Sequence, residues 1–170
     1  EAERNAIGIY TVEIDESKKK DEKWYRNTDI TYAFSGGKVT GSYGDATAKA
    51  HADTKWTQSE IDADEAPEGA DTNTVKTKGL KTLLIAQVKS EAESQLNKTD
   101  WYITRKAEKN TAIPSAISTH RDAVRTKQAE METAITNASD TPALETLYTY
   151  TEQEDGSITR PLGVIPTLED

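Results

Sequence analysis

With 170 residues and a formal net charge of −9, the chain has room for one domain or two small lobes. Its acidity argues against a nucleic-acid backbone as partner, because phosphate binding needs a basic face and no local basic patch is evident. Cysteine is absent, which excludes disulfide frameworks, thiol nucleophiles and thiolate metal sites.

Leu, Ile, Val and Phe make up about 16% of the residues, below the roughly 20% at which high net charge begins to favour disorder. A thin core that draws on neighbours is therefore expected. The longest apolar run, Leu83-Leu84-Ile85-Ala86, is far too short to span a bilayer. No charged-then-apolar leader opens the chain, so a soluble protein is expected. The first residue is Glu1 rather than Met, as in a processed product or a piece of a longer gene product.

In chain order, residues 7–14 (IGIYTVEI) are β-branched and aromatic, the composition of a strand. A charged loop follows through Lys18-Lys19-Lys20-Asp21-Glu22-Lys23. Thr28 to Phe34 and Lys38 to Tyr43 then flank Gly36-Gly37, which predicts an antiparallel hairpin on a two-residue turn. Alternation places Ile30, Tyr32 and Phe34 on one face and Val39, Gly41 and Tyr43 on one face of the partner strand. A small antiparallel sheet of about three short strands is expected, and it needs a cover from a helix or another chain.

Residues 45–78 shift to Ala, Asp, Thr, Lys and Glu, which predicts a polar, poorly ordered linker with Trp56 docked on a neighbour. Asp62, Asp64, Glu65 and Glu68 suggest a calcium loop, but Ala66 and Pro67 stand where a ligand and a glycine are needed. From about Gly79 to Asn97, the spacing of Leu80, Leu83, Leu84, Val88, Ala92 and Leu96 predicts a helix. A longer helix is predicted from Pro114 or Ser115 to about Asn137. Its stripe is Ile113, Ala116, Ile117, His120, Val124, Met131 and Ile135, and Pro114 suits a first turn. The two stripes are suited to face each other as an antiparallel helical hairpin. After Asp140-Thr141-Pro142 comes a short helical turn. Ile158 to Leu168, with Pro161 and Pro166, then predicts an extended tail docked on its own surface or on a partner.

The reading is α+β: a β-rich region (1–44), a polar linker (45–78), a helical hairpin (79–140) and an extended C-terminal arm (141–170). Thr99-Asp100-Trp101-Tyr102 is expected to join the two helices. Thr99 or Asp100 would cap the turn, and Trp101 would fold over the apolar stripes as the anchor of a clasp. Truncating a Trp so buried costs roughly 3 to 5 kcal/mol. Arg105 and Lys106 follow where a carboxylate of this chain or a partner can meet them.

The candidate chemistry is sparse. His51 lies in the polar segment, and His120 lies on the apolar stripe beside Arg121, where a satisfied interface histidine is the ordinary outcome. Two distant histidines without cysteine build no zinc site. There is no GxSxG elbow, and Gly36-Gly37 lacks the spacing of a phosphate loop. No spacing singles out a carboxylate pair for acid–base work. No cofactor, metal site or catalytic residue is assigned. Trp24-Tyr25, Trp56 and Trp101-Tyr102 suit core anchoring or protein contacts, aromatic rings offering large area at small entropic cost.

One stretch also carries a family pattern. Leu96-Asn97-Lys98-Thr99-Asp100-Trp101-Tyr102, Arg105-Lys106-Ala107-Glu108, Ile113-Pro114 and His120-Arg121-Asp122-Ala123-Val124-Arg125 resemble a short module of tailed bacteriophages. That module is found in tail assembly chaperone-like proteins and at the C-terminal ends of tail or fibre-associated proteins. The family pattern has leucines before Thr/Ser-Asp-Trp, a Pro at the second helix and a Tyr-Arg-x-x-Leu-Arg ending; here His120 replaces the Tyr and Val124 the Leu. The opening AIGIYTVEID is similar to proteins of marine tailed phages. The resemblance implies a non-enzymatic virion structural protein of the tail, baseplate or fibre-attachment region, assembled in the host cytoplasm. Its partners would be other tail or fibre proteins and further copies of itself. The alternative it implies is a fibre assembly chaperone absent from the mature virion. Thr99, Asp100, Trp101, Tyr102, Arg105, His120, Arg121, Trp24 and Trp56 are the candidate structural and interaction residues.

Overall fold

A computed structural model describes residues 4 and 6–168. It is α+β, with small sheets and separate helices. The chain divides into two compact units, Glu1–Lys49 and Ala50–Asp170.

The first unit contains β1 (Val12–Asp15), β2 (Tyr25–Arg26), β3 (Thr31–Ser35), β4 (Lys38–Ser42) and β5 (Thr47–Ala48). Gly36 and Gly37 both take positive φ, 59° and 77°, as the two-residue hairpin turn requires. They set Ser35 opposite Lys38 and Phe34 opposite Val39 in the antiparallel β3–β4 pair. The sheet order is β1-β4-β3, and β1 runs parallel to β4. This corrects the expectation of a purely antiparallel sheet. The long connection between β1 and β4 includes β2 and β3, enough chain to bring β4 back in the same direction as β1. The first strand is also shorter than expected, beginning only at Val12, and Gly8 at φ 80° interrupts the run before Ile9. β2 and β5 form a two-stranded ribbon, beside which Trp24 and Tyr25 are buried.

The second unit opens with β6 (Thr54–Lys55), α1 (Gln58–Asp62) and β7 (Val75–Thr77), with β6 and β7 paired antiparallel. The expected polar linker thus has local structure, held by short-range polar contacts rather than by a core. Thr57 and Glu60 form a reciprocal capping box at α1, which satisfies donors that a helix start leaves open. Glu60 also pairs with Lys76 of β7, and Asp71 accepts N–H bonds from Asn73 and Thr74. Trp56 is half-buried with the Lys76 ammonium 4.5 Å from its ring centre.

The core is helical: α2 (Leu80–Asn97), α3 (Asp100–Lys109), α4 (Ser115–Asn137) and α5 (Thr141–Tyr148). α2 and α4 pack antiparallel. Lys81 near the start of α2 donates to the Thr136 carbonyl near the end of α4 at 2.8 Å, and Arg121 near the start of α4 reaches the Leu96 carbonyl. Between them lie Leu84, Val88, Ala92, Val124, Met131 and Ile135, all buried. Asp140 caps α5 through the Ala143 N–H, and α5 adds Leu144, fully buried.

β8 (Thr151–Glu152) and β9 (Ile158–Thr159) form a hairpin, after which the tail returns to its own unit. The Leu162 N–H donates to the Leu147 carbonyl, and Leu162 and Ile165 are buried while Val164 is exposed. Of the two destinations expected for the tail, this stretch takes its own surface. None of the described helices is long and apolar enough to cross a membrane.

Candidate functional site

The Thr99-Asp100 junction separates α2 from α3, and it is held from across the unit by Arg121. Arg121 lies in the second turn of α4 and is buried at 8% exposure. Its Nη1 donates to the Leu96 carbonyl at 2.8 Å, to Thr99 Oγ1 at 2.7 Å and to Asp100 Oδ1 at 2.8 Å. Nη1 carries two hydrogens, so the three acceptors share them. Thr99, itself 1% exposed, donates its hydroxyl to the same Leu96 carbonyl. The guanidinium thus meets the negative end of the α2 dipole and an ionised carboxylate at the start of α3. All of this is positioning; the cluster contains no nucleophile or base aimed at a substrate space.

Trp101 is not the anchor of this clasp. It is 52% exposed, which corrects the expectation that it closes the core. The chain does not turn directly from one long helix into the next but forms α3. Successive helical residues are about 100° apart. Asp100 is tied to Arg121 at the edge of the core with its own side chain 54% exposed, and the next side chain faces solvent as well.

Exposed Trp101 stacks with half-buried Tyr102 and Arg105 on α3. The Trp101 and Tyr102 ring centres are 4.0 Å apart, and the Arg105 guanidinium lies 4.5 Å from the first and 5.2 Å from the second. Arg105 therefore meets π faces, and among the described residues no ion pair holds it. α3 buries no side chain. Its signals were present in the sequence: Asp100 in the first turn, Lys106 and Lys109 in the last, and Asn110 in the left-handed conformation at the end.

His120 is buried at 8% exposure, yet its Nε2 has no hydrogen-bond partner among the described residues. It is a stripe residue, as expected, but not a satisfied one. Trp24 is a core residue of the first unit, 3% exposed, and Trp56 belongs to the β6–β7 ribbon. Neither is brought to the Arg121 cluster by any described contact. Among the described residues, no group of three or more His, Asp or Glu is placed to hold a metal ion.

Arg160 was missed by sequence reasoning, which saw only the alternation of the tail. Its Nε donates to the Gly163 carbonyl at 2.7 Å, and its guanidinium lies 5.0 Å from the Tyr148 ring and 5.3 Å from that of Tyr150. Beside it runs a groove of about 470 Å³, with Gln87, Glu91, Ser94 and Gln95 of α2 on one side and Val164 and Ile165 of the tail on the other.

Burial pushes the Tyr148 hydroxyl up to about 12 from 10.0, against the attraction of Arg160 and with the help of Glu91. The fold favours the neutral phenol, so Tyr148 contributes stability that is complete below pH 10 and lost as pH rises toward 12. Ultraviolet titration is expected to show one tyrosine ionising near pH 12, and Tyr148→Phe to remove both that transition and its share of the alkaline instability. An unaltered titration curve in the variant would refute the assignment.

No family model, curated protein or solved structure matches this chain.

Proposed function

We propose that the chain is a non-enzymatic structural component of a bacteriophage tail, in the baseplate, fibre-attachment or tail-associated region. It works through contacts with other tail or fibre proteins and with copies of itself in a symmetric assembly. The observation that supports this reading lies in the stretch that resembles the tail module. There Arg121 and Thr99 are buried and tie down Asp100, while Trp101 is exposed and stacks with the half-buried Tyr102 and Arg105 on a helix with no fully buried side chain. A ten-residue helix is marginal by itself in water. Trp, Tyr and Arg are also the side chains most enriched where protein interfaces concentrate their binding energy.

Mass spectrometry of purified phage particles tests the proposal. Peptides of this chain at a stoichiometric level are expected in mature virions. Their absence, with recovery of the chain bound to a fibre protein during assembly, would replace it with the assembly-chaperone reading.

A further inference from the structure

The β1-β4-β3 sheet has two unlike faces. Glu13, Asp15, Lys38 and the Thr and Ser residues of β3 and β4 occupy one, where Glu13 and Lys38 form a 3.0 Å ion pair. Val12 and Ile14 of β1, Val39 and Gly41 of β4, and Tyr32 and Phe34 of β3 occupy the other, because the pairings Val12↔Val39↔Phe34 and Ile14↔Gly41↔Tyr32 put each trio in register. No charged residue belongs to this second face.

Its side chains are nevertheless in water: Val12 is 46% exposed, Ile14 43%, Tyr32 63% and Phe34 59%. Gly41 keeps the centre low. A Cβ there would fall 2.8 Å from the ends of Ile14 and Ile30 and 2.9 Å from the Tyr32 ring, so these groups close over the glycine. Tyr10 leans on Phe34 with ring centres 4.7 Å apart.

We infer that this face is a self-association surface, and that its occupant is the same face of a second copy of this chain. The inference rests on the reading that the chain works through protein contacts, and names one surface that does so.

A charge-free apolar face calls for a charge-free apolar partner, and an isologous contact supplies one by symmetry. Electrostatics permit it. Residues 1–49 hold nine acidic and eight basic side chains, whereas residues 50–170 hold 21 and 13. The net charges are −1 and −8, so the first unit meets its copy with little repulsion.

Area agrees as well. The four exposed side chains offer on the order of 400 Å², so two faces bury about 800 Å² of apolar surface. At the roughly 60% apolar share of protein interfaces this implies about 1,300 Å² in all, above the roughly 1,000 Å² that a specific interface needs. Two such sheets stack about 10 Å apart with strands near-aligned, and each then has the cover that a three-stranded sheet otherwise lacks.

Sedimentation velocity of the full chain from about 1 to 100 µM, a range that spans micromolar association, tests this. A dimer is expected, and Tyr32→Glu with Phe34→Glu is expected to weaken it at least about 100-fold, two charges being buried in an apolar contact. Ala33→Glu, between them on the opposite face, is expected to change it less than about threefold. Should the double variant lose the sheet, cysteine cross-linking decides, since the chain has no cysteine of its own. Phe34→Cys is expected to be linked into dimers by a bis-maleimide of about 10 Å span, the spacing of stacked sheets, and Ala33→Cys to give none. A monomer throughout the range, a dimer indifferent to the Glu pair, or equal cross-linking at 33 and 34 would overturn the inference. A monomeric chain still found in virions would sink this surface alone, leaving the tail reading intact.

Discussion

Arg121→Ala is expected to lower the unfolding free energy by about 2 to 4 kcal/mol. With a melting shift of roughly 2 to 4 °C per kcal/mol for a chain of this size, thermal unfolding falls by roughly 4 to 16 °C. The loss has three parts. The half-buried Leu96 carbonyl keeps only the Thr99 hydroxyl as side-chain donor, buried Thr99 loses its donor, and the exposed Asp100 loses its counter-charge. Buried acceptors whose partner is removed bear the desolvation cost without compensation. Arg121→Met keeps most of the apolar stem in place, so the gap between Met and Ala separates packing from hydrogen bonding. Trp101→Ala, on the exposed stack, is expected to cost less than about 1 kcal/mol. Differential scanning calorimetry of these three variants checks the ranking. A Trp101 variant destabilised more than the Arg121 variant would reverse the assignment of the anchor.

Ile135→Ala is the second large effect, expected at about 2 to 5 kcal/mol by the removal of three methylene-sized groups from the closed α2–α4 contact. Ile135 is fully buried, so the cavity left behind adds to the lost transfer free energy. Leu83→Ala removes as much hydrocarbon from a side chain that is 52% exposed, and is expected to cost less than about 1 kcal/mol. Urea denaturation measures both. Comparable midpoints for the two variants would contradict the packing described for α2.

That Leu83 contrast shows where periodicity stops being informative. Leu80, Leu84, Val88 and Ala92 recur every four residues, so each lies about 40° further round the helix than the last. The buried stripe therefore slants, which leaves Leu83 roughly opposite Ala92. A three-and-four count treats all of them alike, and only the partner helix shows which way the stripe leans. The α4 stripe was more legible because Ile117, Val124, Met131 and Ile135 are far enough apart to average that slant.

The hairpin at Gly36-Gly37 and the start of α4 after Pro114 were legible because local backbone chemistry alone specifies them: two positive φ angles, and a helix start that loses nothing from a missing N–H. β1 was placed in the right region but given the wrong partner direction, since direction depends on how the chain from Glu16 to Ile30 crosses. The clasp was half legible. Thr99 and Asp100 stood out as polar residues at a helix junction, whereas the guanidinium that holds them comes from 21 residues further along. Trp101 faces solvent although large aromatics usually turn inward, and the acidic start and basic end of α3 are the local signals that mark it as a helix of its own.

The sequence by itself determined the α+β composition, the two-residue turn, the positions of both long helices and the lack of any thiol chemistry. Each follows from residue types acting over a few positions. Only the tertiary structure decided which way β1 runs, which side of α3 faces solvent, and that Arg121 rather than Trp101 locks the Thr99-Asp100 junction. These depend on groups distant in sequence meeting at hydrogen-bond distance, and a buried arginine is stable only where several acceptors converge on it. No local pattern encodes that convergence, because its energy exists only once α2 and α4 are packed.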